Sequence, residues 1–257
     1  MNCDWSFVDK AYCISLRENK QSRIEFKNTC DTIGLAFEFL IVDRHPKGGK
    51  LGCFESHQIV ARMALESGAK NAMIFEDDAR LFEGSLSPIR LFRLKQELEK
   101  NEHELVYFGH MPMMFAWIKQ LEPGSCLARC TSSWMSHSYF VSRSFLQKIV
   151  DEKYDDEHYD HFLHRVSEAD KRFVVYPMMF YQDDRPGCIS PTWLLSATTS
   201  IAGATAITES MAYNPVTSVV LIILFIVVVV WLIAKFLTPQ RRHKTNKNSS
   251  LLQSNRR

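Results

Sequence analysis

The stretch that decides the fold is residues 71–82, NAMIFEDDARLF. Ala72 to Phe75 are apolar and run directly into Glu76, Asp77 and Asp78. A short apolar run of this kind reads as a strand buried on both faces. Three adjacent like charges at its end repel one another, so they either fan out into water or share a cation. If the backbone stays extended, Glu76 and Asp78 point one way and Asp77 the other. Two carboxylates on one side make a hard-oxygen site suited to Mg2+ or Mn2+, with positions left for substrate phosphates. The triplet by itself fits an acidic turn as well.

Its neighbours set the fold class. Before it, residues 11–16 (AYCISL) and 37–42 (FEFLIV) read as strands, with a helix over 19–34 that Gly34 ends. Residues 43–50 (DRHPKGGK) read as a loop. A helix follows over 55–68, with Ile59, Val60, Met63 and Ala64 on one face. After the triplet comes a helix over 87–101, with Ser87 at the N-cap and Pro88 at N1, then a strand over 105–109. Residues 110–133 show no clean period. Strands at 136–142 and 172–177 and helices to about 150 and over 158–166 complete the pattern. Alternating strands and helices imply an α/β sheet, parallel in its first half. Ligands in such sheets bind beyond the carboxyl ends of the strands, where the triplet lies.

The net charge of +2 hides an asymmetry. Residues 235–257 carry seven basic side chains and no acids, which leaves 24 basic and 29 acidic on residues 1–234. An acidic body gives no case for nucleic-acid binding. Between Glu209 and Lys235 there is no charge, and 216–234 (VTSVVLIILFIVVVVWLIA) is apolar on every face. At 1.5 Å per residue, about 20 residues cross a hydrocarbon core, so this run reads as a transmembrane helix. The expected organisation is a domain over 1–192, a stalk over 193–215, the helix and a basic tail over 235–257. The tail favours a cytoplasmic carboxyl terminus, whereas residues 1–10 hold no secretory leader. A tail anchor carrying a cytosolic domain needs no export, and that is the expected placement. Of the seven cysteines, Cys13, Cys30 and Cys53 read as small core side chains.

Six ordered blocks resemble glycosyltransferase family 25, which includes bacterial lipopolysaccharide sugar transferases and collagen galactosyltransferases. They are CISLRENKQSR (13–23), LGCFESH (51–57), NAMIFEDDARLF (71–82), SHSYFVSRSFLQKIV (136–150), YDHFL (159–163) and YPMMFYQDDRPGCIS (176–190). The resemblance implies a GT-A-type fold and transfer of a hexose, galactose or glucose, from a UDP-sugar to a hydroxyl on a glycan, lipid or protein. It makes Asp78 the direct ligand of Mn2+ or Mg2+, with Glu76 or Asp77 in support or on the ribose. Arg17 and Arg23 match basic positions near the nucleotide and suit a pyrophosphate or the first loop. Ser56 matches a position able to cap the helix. His57 matches one able to touch nucleotide or metal. Asp160 matches an acidic position suited to a general base. His137 matches the family's histidine before an aromatic strand, which suits either substrate contact or a satisfied core position, and Gln182 matches a polar residue near the carboxyl-terminal edge of the site.

The chain departs from the family pattern at Lys50–Leu51, at Asp43–Arg44 and at Trp134–Met135, where the family has a glycine. These departures keep open a catalytically inactive, membrane-anchored relative with a binding or structural role. A metal-dependent phosphate hydrolase would use the same acids.

Overall fold

The computed structural model describes residues 3–112, 118–130 and 133–183, with Ile223 and Val227. Residues 1–215 and 216–257 are separate compact units. Of the second, Ile223 and Val227 are helical and exposed. The rest of the apolar run, the stalk, the tail, Cys188 and Met113 to Trp117 lie outside the described residues. Among the described residues, no helix is long and apolar enough to cross a membrane.

The first unit runs β1 (Lys10–Leu16), α1 (Lys20–Ile33), β2 (Glu38–Val42), α2 (Gly49–Glu66), β3 (Asn71–Glu76), β4 (Ala79–Leu81) and α3 (Pro88–Lys100). It continues with β5 (Leu105–Tyr107), β6 (Met111–Pro112), β7 (Ile118–Gln120), β8 (Leu127–Cys130), β9 (Ser133–Trp134) and β10 (Ser138–Ser142). It closes with α4 (Arg143–Asp151), α5 (Tyr159–Val166), β11 (Arg172–Val175) and β12 (Phe180–Gln182). The main sheet has the order β2-β1-β3-β10-β5-β11-β8-β7. β2, β1 and β3 are parallel, as the alternation implies, but β10 inserts antiparallel between β3 and β5.

Period-2 alternation along β3 divides the core into two layers. Met73 and Phe75 join α1 and α3 on one face, through Phe26, Ile33, Leu91 and Leu94. Ala72 and Ile74 join α2, α4 and α5 on the other, through Val60, Ala64, Phe145, Ile149 and Phe162. Both faces of β3 are covered, which is why its sequence is a continuous apolar run.

Several expectations need correction. α2 starts six residues earlier than the sequence indicates, because Gly48, at φ 111, turns the chain and lets Gly49–Lys50 begin the helix. Its buried side chains include Phe54, His57, Val60, Ala61 and Ala64, whereas Ile59 is exposed. The aperiodic stretch 110–133 contains the short strands β6 to β8 and the start of β9, too brief for a period to register. Ser87 does cap α3, accepting from Arg90 N at 3.2 Å.

Gly109 sits where three segments meet. Its N–H donates to Ser138 O, and an added Cβ would collide with His137 Nε2 and lie 2.6 Å from Phe180 O. A carbonyl of the β12 backbone cannot swing away as a side-chain tip can. Gly109→Ala is therefore expected to lower the unfolding free energy by about 3 kcal/mol. Urea titration measures this as a fall in midpoint at constant slope.

Candidate active site

β1 leads through α1 outward to β2, and β2 leads through α2 back across β1 to β3. The chain thus reverses direction between β1 and β3, the switch point at which open α/β sheets form ligand crevices. A cleft of about 730 Å³ opens there. Its walls are the carboxyl ends of β1 and β3, the loop after β2, the amino end of α2, Met135–Ser136 and the start of α5.

The acidic triplet lines the cleft, and its three carboxylates diverge. The strand ends at Glu76 and the backbone turns at Asp77–Asp78, so the extended alternation stops. Glu76 faces α2 and β10: Ser136 Oγ donates to its Oε1 at 3.2 Å, and His57 Nε2 lies 3.5 Å from the same oxygen. Burial alone would raise this carboxyl, but His57, His137 and Ser136 together outweigh it and hold it below its ordinary value. Asp77 turns to the first loop, where Ser15 Oγ donates at 2.5 Å and Asn19 Nδ2 at 3.4 Å. Burial raises its pKa against the pull of those donors. Asp78 faces β12 and accepts from Gln182 Nε2 at 2.8 Å. Among the described residues, the one group of metal-competent side chains with ligand atoms within 4.8 Å of one another is Cys53, His57 and Glu76.

The structure gathers Ser56, His57, Asp160 and Gln182 around the same cleft as the triplet. Ser56 is not a cap. It lies within α2 and donates to Gly52 O at 2.6 Å, a bond to the preceding turn. Asp160 is in the first turn of α5, where Oδ1 accepts from His161 N and Oδ2 from Met135 N at 3.4 Å. Met135 has φ 83, the left-handed region that favours glycine.

Arg17, Arg23 and His137 do not line the cleft. Arg17 forks onto Asp43, with Nε to Oδ1 at 2.8 Å, on the exposed surface. Arg23 clamps the end of β1, donating to Ser15 Oγ, Leu16 O and Arg17 O. Ser15, which it contacts, in turn donates to Asp77. His137 is buried beneath the site, with Nε2 3.5 Å from Phe180 O.

Cys53, Ser15, Asn19, Tyr139 and Tyr159 were not singled out by their sequence context. The i, i+4 spacing of Cys53 and His57 was a readable signal, since it places both on one helix face. Cys53 is half-buried: it packs against the core layer of α2, α4 and α5 and also lines the cleft wall, whereas Cys13 and Cys30 are fully buried.

His137 and His110 carry a pH dependence. Burial holds His137 down to about 4 despite Glu76, and burial, with His137 beside it, holds His110 down to about 3. In the unfolded chain both titrate near 6.5. Below that value the unfolded state takes up protons that the folded state refuses. The stabilisation is therefore complete above about pH 6.5 and is lost as the pH falls toward 4. Acidification to about pH 4.5 is expected to remove on the order of 3 kcal/mol per histidine. Denaturant titrations at the two pH values check this, and His137→Asn is expected to flatten the slope.

A family model described as Glycosyltransferase family 25 (LPS biosynthesis protein) matches residues 47–163. It is the family that the sequence blocks resemble. The family 25 match runs from the loop before α2 to the first turns of α5 and so includes Cys53, His57, the acidic triplet and Asp160. It supports a glycosyltransferase.

No curated protein matches the chain. Similar solved structures include A197 from STIV, at 12% identity and a TM-score of 0.46, covering 68% of this chain and 86% of that one. Another is a glycosyltransferase involved in the glycosylation of the major capsid of PBCV-1, at 13% identity and a TM-score of 0.42, covering 78% and 99%. A third is UDP-glucose pyrophosphorylase complexed with UDP-glucose, at 10% identity and a TM-score of 0.38, covering 67% and 74%. Scores of this size assign no residue and no activity.

Proposed function

We propose that this protein is a hexosyltransferase that moves galactose or glucose from a UDP-sugar to an acceptor hydroxyl on a glycan, lipid or protein. The observation that carries the reading is the placing of the family's acidic triplet and Asp160 around one switch-point cleft. At about 730 Å³ the cleft is within the range of about 300–1,000 Å³ typical of small-ligand sites. The amino end of the 18-residue helix α2, with Lys50, lines it and favours a diphosphate.

Asp78 is the triplet member suited to Mn2+ or Mg2+, since its carboxylate faces the cleft wall and offers hard oxygen ligands. A divalent ion bound there would offset charge on the departing diphosphate. Gln182 holds the Asp78 carboxylate in place, and Asp77, fixed by Ser15 and Asn19, is directed to the ribose side. Asp160 takes the proton of the acceptor hydroxyl as it attacks the sugar. The GT-A-type fold, the anchoring of this unit by residues 216–234 and its cytosolic placement belong to the same proposal.

The test is a panel of UDP-sugars with the full chain and Mn2+, scored for UDP release with and without acceptor. Release from one donor is expected. Absence of both release and metal-dependent UDP binding would overturn the reading. One observation favours the inactive relative instead: within Trp134–Met135, which departs from the family's glycine, the bulky Met135 holds a left-handed turn, and its N–H donates to Asp160 Oδ2. That reading predicts UDP binding without turnover.

A further inference from the structure

Cys53, His57 and Glu76 form a cluster that the transferase chemistry leaves unexplained. The i, i+4 spacing on α2 aligns the thiol and the imidazole on one face, and the end of β3 brings the carboxylate to them. One ligand atom from each residue lies within 4.8 Å of the other two. His57 is 1% exposed; its Nε2 makes no hydrogen bond of ordinary geometry, and Glu76 Oε1 stands 3.5 Å from it. Such a buried nitrogen is costly unless it has a partner.

We infer that Cys53, His57 and Glu76 bind a zinc ion through Sγ, Nε2 and Oε1, with a fourth position open to the cleft. The inference goes beyond the transferase reading and stands without it.

The donor set decides the metal. Thiolate, imidazole and carboxylate suit zinc, whereas Mg2+ and Mn2+ prefer oxygen alone. Distance agrees. Tetrahedral zinc with bonds of about 2.0–2.2 Å to nitrogen and oxygen separates those two ligands by about 3.3–3.6 Å, and His57 Nε2 lies 3.5 Å from Glu76 Oε1.

The surrounding shell is built for the role. Tyr139 OH lies 2.8 Å from His57 Nδ1, which leaves Nε2 free to present its lone pair once Nδ1 carries the proton. Tyr159 stacks on the imidazole at 4.0 Å and 11°, and its hydroxyl lies 3.1 Å from that of Tyr139. Ser136 holds Glu76. All three ligands line the cleft, so the ion has a path in. On binding zinc the Cys53 thiol would release its proton to solvent as the Zn–S bond forms. Three protein ligands with a fourth position left for water or a substrate oxygen is the arrangement of reactive zinc sites rather than structural ones.

The test uses the full chain purified without chelator. Near-stoichiometric zinc is expected by elemental analysis. After exchange with Co2+, a thiolate-to-cobalt charge-transfer band and the intense visible bands of four-coordinate cobalt are expected. These spectra need no variant. Cys53→Ser should abolish the charge-transfer band and weaken zinc by more than the roughly 10–100-fold that loss of an outer-shell partner costs. Asp78→Asn should keep both zinc and the band, which separates this site from the proposed diphosphate ion. Three results would overturn the inference: no zinc and no cobalt band in the unaltered chain, a band that survives Cys53→Ser, or loss of zinc in Asp78→Asn.

Discussion

Asp78→Asn is expected to reduce UDP release about 10²–10³-fold and to remove the metal dependence of UDP binding. The substitution keeps the shape and removes one negative charge. Gln182 donates to Asp78 Oδ2 at 2.8 Å, and the asparagine oxygen can still accept that bond, so the β4–β12 edge should hold. What is lost is the anionic oxygen that attracts a divalent cation to the end of β3. Titration of UDP by calorimetry, with and without Mn2+, separates binding from turnover. Unchanged turnover in Asp78→Asn would move the diphosphate site away from the triplet.

Asp160→Asn is expected to lower kcat about 10²–10⁴-fold, with donor KM little changed. An amide cannot take the acceptor proton at neutral pH. Its oxygen can still accept from His161 N, so the first turn of α5 keeps its internal bond. An acidic residue there also favours the helix amino end by about 0.3–1 kcal/mol, a loss too small to unfold the chain. The discriminating measurement is transfer to acceptor under saturating donor. A variant whose KM for donor rises while kcat holds would place Asp160 in donor binding. A kcat equal to that of the unaltered chain would remove it from the chemistry.

The strands and helices of residues 10–107, except the three-residue β4, were legible because both faces of β3 and one face of each helix must be apolar to be buried. Ser87 and Gly34 announced their ends through local bonding, Ser87 by accepting from Arg90 N and Gly34 by adopting φ 73. The start of α2 was not legible, because Gly48 and Gly49 read as loop until the position of His45 against Gly52 is known. Most of the candidate site was visible as residue types in order. The roles of Arg17, Arg23 and His137 were not, because a basic or imidazole side chain looks the same whether it faces a ligand or its own backbone. Arg23 spends its guanidinium on Ser15, Leu16 and Arg17, and Arg17 spends its own on Asp43.

By itself, the sequence determined the α/β class, the buried third strand with its acidic end, the uncharged run before Lys235 and the family that the blocks resemble. These depend on local periodicity and on the order of residues along the chain. The tertiary structure alone decided that β10 enters antiparallel beside β3 and brings Tyr139 and Ser136 to the acids. It also decided that Glu76, Asp77 and Asp78 part toward three different partners, and that Cys53, at the edge of the core, also lines the cleft beside His57. Each of these is set by which distant segment packs against the end of β3, and spacing along the chain carries no record of that choice.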